Sequence, residues 1–183
     1  MGEEKQADSA PALLADGSAA TTAEALFQRL EELGIASQTV DHPPLFTVEE
    51  SKALRGSLPG HHVKNLFLRN KKGVMWLLTC LEDREIDLKR LGAVLNAGRF
   101  SFGSAERLMH YLGVRPGAVT PLAVINDRQH KVTMVLDSAL TDGQPVNAHP
   151  LVNDRTTTLG GRDLLRFLEA EGHAPRLLDF ENL

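Results

Sequence analysis

The chain has 183 residues, 42% hydrophobic and 24% charged, with a formal net charge of −4 and one cysteine. That is the composition of a single globular domain with enough chain for a core, and it excludes an internal disulfide framework. No apolar stretch approaches a membrane span, and the acidic N-terminus lacks the basic-then-apolar order of a signal peptide. Cys80 lies in an apolar run, reads as a small buried hydrophobe, and fits a reducing cytoplasm.

The net charge hides an asymmetry. Residues 1–50 carry 2 Lys/Arg against 10 Asp/Glu, residues 51–131 carry 14 against 6, and residues 132–183 carry 4 against 8. A basic middle within an acidic protein points to a local anionic partner, or to a solvated charged face, rather than to a protein that coats nucleic acid.

Residues 1–20 are rich in Ala, Ser, Asp and Gly without periodicity and read as a disordered leader before a domain spanning 21–183. Thr21 and Glu24 have capping-box spacing, Leu26, Leu30 and Leu33 form a stripe behind them, and Gly34 stops the helix. Residues 35–40 look like a strand that meets the breaker His42-Pro43-Pro44. Thr47 and Glu50 form a second capping box for a short helix ending near Gly56.

Residues 63–68 and 74–81 flank the turn-like stretch 70–73 and read as a hairpin, its second strand apolar on both faces. Asp87 caps a helix through Leu95, and Ser104 caps another that presents Leu108 and Leu112 to the core before Gly113. Residues 122–126 and 132–136 read as a second hairpin, and 155–159 as a short strand. Residues 162–171 are an amphipathic helix through Leu164, Leu165 and Leu168, stopped by Gly172, and 176–180 a final strand. Helices and hairpins intermix without βαβ alternation. The expected fold is therefore a single α+β domain, a mixed or antiparallel sheet with surrounding helices.

Lys64 is the residue that asks for an explanation. In a strand it shares a face with Leu66 and Leu68, while Val63, Asn65 and Phe67 share the other. An ammonium there either snorkels to water or has a partner or ligand. Two loops are further candidates. Gly117 follows the turn Arg115-Pro116, lets backbone approach a ligand closely, and leads through Ala118 to Pro121, which stiffens the exit. His149, held extended by Pro150, directs its imidazole in a defined way, or is a surface-loop histidine. Gly160-Gly161 before a helix reads as a turn more readily than as an anion site.

A metal site has no support: His61 and His62 point to opposite strand faces, no histidine pair has helical ligand spacing, and Cys80 has no companion. With no Gly-x-Gly-x-x-Gly and no Walker loop, no cofactor is expected. A Ser/His/Asp set or an activated cysteine is missing too, which argues against a covalent acyl-enzyme.

The run from Val63 to Leu68, the Gly117-x-x-x-Pro121 loop and His149-Pro150-Leu151 occur in that order. So do Gly98-Arg99-Phe100-Ser101-Phe102 and Asn153-Asp154-Arg155-Thr156-Thr157-Thr158. Together they resemble the YbaK/prolyl-tRNA editing superfamily over about residues 21–181. Within it the chain is most similar to the free-standing proteins that deacylate Ala-tRNA(Pro), relatives of the insertion domain of bacterial prolyl-tRNA synthetase. The resemblance implies a pocket for the 3′-aminoacyl-adenosine end of tRNA. It places the family's essential lysine on Lys64 with Asn65 beside it, its loop on Gly117, Ala118 and Pro121, and its pocket histidine on His149. Ala148 stands where the family usually has glycine. Arg99 is an expected RNA contact, and prolyl-tRNA synthetase an expected neighbour, with no DNA or membrane partner. Three functions compete: an editing hydrolase acting on alanine or on another small residue such as serine, threonine or cysteine, a non-catalytic aminoacyl-tRNA-binding module, and a Schiff-base enzyme using Lys64.

Overall fold

The computed structural model describes residues 12–44, 48–56 and 58–183. Helix α1 (Ala23–Glu32) leads to strand β1 (Ser37–Asp41) and helix α2 (Val48–Arg55). Strands β2 (His61–Asn70) and β3 (Met75–Leu81) precede α3 (Leu88–Val94), β4 (Phe100–Phe102) and α4 (Ala105–Leu112). A 3-10 helix over Pro121–Asn126, strand β5 (Val132–Asp137) and a second 3-10 turn over Ser138–Thr141 follow. The chain ends with β6 (Pro145–Ala148), β7 (Arg155–Gly160), α5 (Gly161–Ala170) and β8 (Arg176–Leu178).

The strands form one eight-stranded mixed sheet in the order β1-β7-β6-β2-β3-β5-β8, with β4 on the edge of β2. Alternation in the central strands feeds two cores. Phe67, Met75, Leu77, Met134 and Leu136 pack under α1, α4 and α5 with Leu26, Leu112 and Phe167. Leu68, Trp76, Leu78 and Val135 pack against Leu91 of α3, against its C-cap residue Leu95 and against Phe100, whose ring meets Trp76 edge-on at 4.9 Å. The expected single α+β domain on a mixed sheet is therefore what the chain forms, and β3 is buried on both faces as its composition required.

The hairpin closes as expected, with Gly73 at φ +80° and Arg69 opposite Met75. Asp87 and Ser104 cap α3 and α4, accepting from Lys89 and Arg90 amides and from the Arg107 amide. Several local expectations are corrected. Thr22, not Thr21, caps α1 by accepting from the Ala25 amide; the Thr21 amide instead donates to Asn126 Oδ1 at 2.9 Å. No second hairpin forms from residues 122–136. Pro121 starts a 3-10 helix whose N-cap is Thr120, and β5 lies parallel to β3. That run is buried all round, so apolar periodicity had nothing to distinguish strand from helix. In α5 the buried apolar side chains are Leu164, Phe167 and Leu168, not Leu165. Strands β4 and β6 were not expected.

The capping box at Thr47 and residues 1–11 lie outside the described residues. Within residues 12–20, assigned to the leader from sequence, Leu14 is buried and the Ala15 amide donates to the His110 carbonyl, while Leu13, Asp16 and Gly17 are exposed. Gly161 is explained by crowding. A Cβ there would stand 1.9 Å from the Leu140 carbonyl oxygen, so the glycine permits α5 to start against the second 3-10 turn rather than cradle an anion.

Candidate active site at an opening in the sheet

One edge of β2 changes partner along its length. At its start His61 and His62 pair in parallel with Val146 and Asn147 of β6, and at its end residues 68–70 pair with β4. Residues 63–66 between them have no strand partner on this edge among the described residues. Carried two residues further, the β2–β6 register would set Lys64 beside His149; instead the chain leaves the sheet after Ala148. The sheet thus opens at the residues singled out in the sequence. Unpaired strand edges are places where backbone groups meet a ligand instead of a neighbour.

Lys64 and Asn65 leave β2 on opposite faces. Lys64 stands across from Cys80, half-buried, and its ammonium donates to the Arg84 carbonyl. That loop is anchored in turn, since Arg84 Nε donates to the fully buried Asp137 carboxylate at 3.0 Å. An ammonium has three donors, so two directions remain without a protein acceptor among the described residues. Cys80 is fully buried and burial pushes its thiol up to about 11, which makes it inert as a nucleophile.

On the other face Asn65 Nδ2 donates to the Val119 carbonyl at 3.0 Å, while its Oδ1 accepts from the Thr79 hydroxyl at 2.6 Å. Asn65 therefore joins β2 to the loop carrying Gly117 and Ala118. Gly117 is exposed with φ +92°, a conformation that suits glycine, and the nearest neighbour of an added Cβ would be Asn153 Nδ2 at 3.8 Å. The Gly117 and Val119 amides donate to no acceptor among the described residues. Ala118 is buried, and Pro121 is the buried first residue of the 3-10 helix instead of the entry to a strand. A cavity of about 520 Å³ runs between this loop and the segment after His149, walled by Arg115, Pro116, Ala118, Leu151 and Asn153. Leu151 in that wall has φ +71°, strained for a branched, buried residue.

Ala148, the last residue of β6, pairs with Thr157 and is buried. His149 Nδ1 lies 2.9 Å from the Arg155 carbonyl, which can only accept, so the proton sits on Nδ1 and Nε2 keeps its lone pair. Burial holds the His149 pKa below the ordinary 6.5; the Arg155 carbonyl opposes this and His42, its ring centroid 6.2 Å away, adds to it. At neutral pH His149 is an uncharged acceptor. His42 is itself tied down, its Nε2 at 2.8 Å from the Thr156 hydroxyl.

Arg99 does not join this group. It is exposed and precedes Phe100, which pairs with Asn70, so it lies beyond the far end of β2, about 20 Å along the strand from Lys64. His61 and His62 diverge, one to Asp142 and one to the Leu58 carbonyl. Sequence reasoning passed over Thr79, Asp137, Arg84 and His42. Thr79 was within reach, because the tight turn at 70–73 sets the register that places it opposite Asn65.

The chain is a single mixed α/β domain in which Lys64 and Asn65 lie on the stretch of β2 that has no second strand partner among the described residues. Residues 42–167 match the family model of the aminoacyl-tRNA editing domain, and the chain belongs to that family. It is 40% identical over 161 residues to "Prolyl-tRNA synthetase associated domain-containing protein 1" of Mus musculus, covering 85% of this chain and 95% of the relative. It is 34% identical over 157 residues to "Prolyl-tRNA editing protein ProX" of Acetoanaerobium sticklandii, covering 85% and 96%. A solved structure of a candidate trans-editing enzyme for prolyl tRNA synthetase superposes with a TM-score of 0.66 at 20% identity, over 87% of this chain and 96% of that one; this likeness concerns the fold alone. No helix among the described residues is long and apolar enough to cross a membrane.

Proposed function

We propose that this chain is a free-standing editing hydrolase that deacylates mischarged tRNA, with Ala-tRNA(Pro) its foremost substrate. It acts in the cytoplasm beside the prolyl-tRNA synthetase that generates the error. Membership in the aminoacyl-tRNA editing family and the name of the Acetoanaerobium relative support the reaction class. The observation that carries the reading is the opening in the sheet, where β2 carries Lys64 and Asn65 and the chain leaves β6 just before His149.

In this mechanism water attacks the ester carbonyl, assisted by the free hydroxyl of the substrate's own terminal ribose. The protein positions the ester and stabilises charge. The two unspent donor directions of Lys64 serve the terminal phosphate or the developing oxyanion. The free amides of Gly117 and Val119 bind the carbonyl or ribose hydroxyl, and Pro121 stiffens the loop behind them. His149, uncharged, offers Nε2 as an acceptor, and Ala118 with Leu151 limits the cavity beside the loop. A steric limit is the effective filter here, since apolar contact alone separates a methylene by only about 10–200-fold. Arg99 and the basic middle segment take acceptor-stem phosphates.

The test is a deacylation panel of tRNA(Pro) charged with alanine, serine, cysteine, threonine or proline, using wild type and Lys64→Ala. Rapid loss of the alanyl ester, sparing of the prolyl ester and a large deficit in the variant are expected. Preference for another small residue moves the specificity. Tight, salt-sensitive tRNA binding without hydrolysis replaces the enzyme with a binding module.

A further inference from the structure

We infer that Thr79 is a positioning residue for the Gly117 loop, acting through Asn65. Thr79 sits fully buried in the centre of β3, between β2 and β5, where its neighbours Leu77, Leu78 and Cys80 are all apolar. A hydroxyl in such a place needs a partner, and its partner is Asn65 Oδ1 at 2.6 Å.

The direction of this chain of bonds follows from chemistry. The Val119 carbonyl can only accept, so the Asn65 atom facing it is the NH2 group. The oxygen of the carboxamide must then face Thr79, and the Thr79 hydroxyl must donate. The Val119 carbonyl thereby selects one of the two flip states of Asn65, and the Thr79 hydroxyl, donating to Oδ1, holds the carboxamide in that state. In the other state two acceptors, Asn65 Oδ1 and the Val119 carbonyl, would oppose each other. The selected state pins the Val119 peptide while leaving the Gly117 and Val119 amides without protein acceptors among the described residues. Asn65 is therefore a loop anchor, its carboxamide bonded on both sides.

This rests on the editing reading for its consequence, but the geometry can be tested apart from it. The full chain is compared as wild type, Thr79→Val and Thr79→Ser. Three readouts are taken: thermal midpoint, kcat and KM on Ala-tRNA(Pro), and the backbone amide shifts of Gly117 and Val119. Valine keeps the shape and loses the donor; serine keeps the donor. The expected result is that Thr79→Val displaces both amide resonances and lowers kcat about tenfold or more at nearly unchanged KM, as misplaced groups do. Thr79→Ser should restore both readouts even though it loses a methyl group in the core. Equal effects of valine and serine, or a valine variant whose amide shifts match wild type, would overturn the inference. If wild type hydrolyses no ester, the editing reading falls and the amide shifts still decide whether Thr79 sets the loop.

Discussion

Asp137 offers the sharpest energetic test of how the lysine side of the site is supported. Its carboxylate is fully buried at the end of β5 and accepts three bonds: from the Leu81 amide at 3.3 Å, Arg84 Nε at 3.0 Å and the Ala139 amide at 3.0 Å. Asp137→Ala removes both acceptor oxygens and leaves the three donors in place. Breaking a buried ion pair costs about 3–5 kcal/mol, and each stranded amide about 1–3 kcal/mol. The Arg84 side chain is 18% exposed and also meets Glu181 at 3.6 Å, so water and a second carboxylate relieve part of this. The lower end, about 3 kcal/mol, is therefore expected. For a chain of this length that is a fall of roughly 6–12 °C in the thermal midpoint. Asp137→Asn keeps the volume and one acceptor oxygen and should lose less than half as much. Circular dichroism melts, with urea midpoints at constant m-value, supply the measurement. A midpoint for Asp137→Ala within about 3 °C of wild type, or identical losses for alanine and asparagine, would refute the reasoning.

Gly161→Ala must push the start of α5 away from the Leu140 carbonyl, which lies 1.9 Å from the new Cβ; a loss of about 1–3 kcal/mol in urea unfolding is expected. Gly117→Ala meets only an ordinary contact, Asn153 Nδ2 at 3.8 Å, but an unfavourable φ of +92°, so it should cost about 1–2 kcal/mol and reduce deacylation by more than that loss explains; undiminished turnover would detach the loop from the chemistry. The lowered pKa of His149 means that the unfolded chain takes up its proton first as pH falls. Its contribution is thus complete above about 6.5 and is lost as pH drops through 6.5 toward the lower folded value. Urea midpoints across that window should fall less steeply in His149→Gln than in wild type.

The hairpin, the α3 and α4 caps and the apolar β3 were legible because each is specified by neighbours in sequence: a tight turn, a capping oxygen, an unbroken apolar run. The stretch at 122–126 was not, because burial on all sides erases the period that separates strand from helix. Strand β6 is four residues long and earns its place only by pairing with β7 and the start of β2. In the site, Lys64 stood out as a charge in an apolar run. What it touches, a carbonyl twenty positions along, has no local signature. Likewise, that Asn65 faces away from Lys64 follows from strand alternation, but that Asn65 ends on Val119 and that His149 is held by Arg155 are tertiary facts. Arg99 lay near the other motifs in the sequence pattern and far from them in space, because β4 joins the opposite end of β2.

The partners that β2 takes have a consequence for how the molecule assembles. The β2–β3 hairpin is local, whereas β6 meets β2 from more than eighty residues away, and β1 meets β7 across more than a hundred. Pairings of such sequence separation are slow to form, since long loops must close before any contact rewards them. Lys64 and Asn65 are thus carried by an early-forming unit, and His149 arrives with a late one. Refolding followed through the His149 imidazole resonance should lag behind protection of the hairpin amides, and recovery of the site should report completion of the whole sheet.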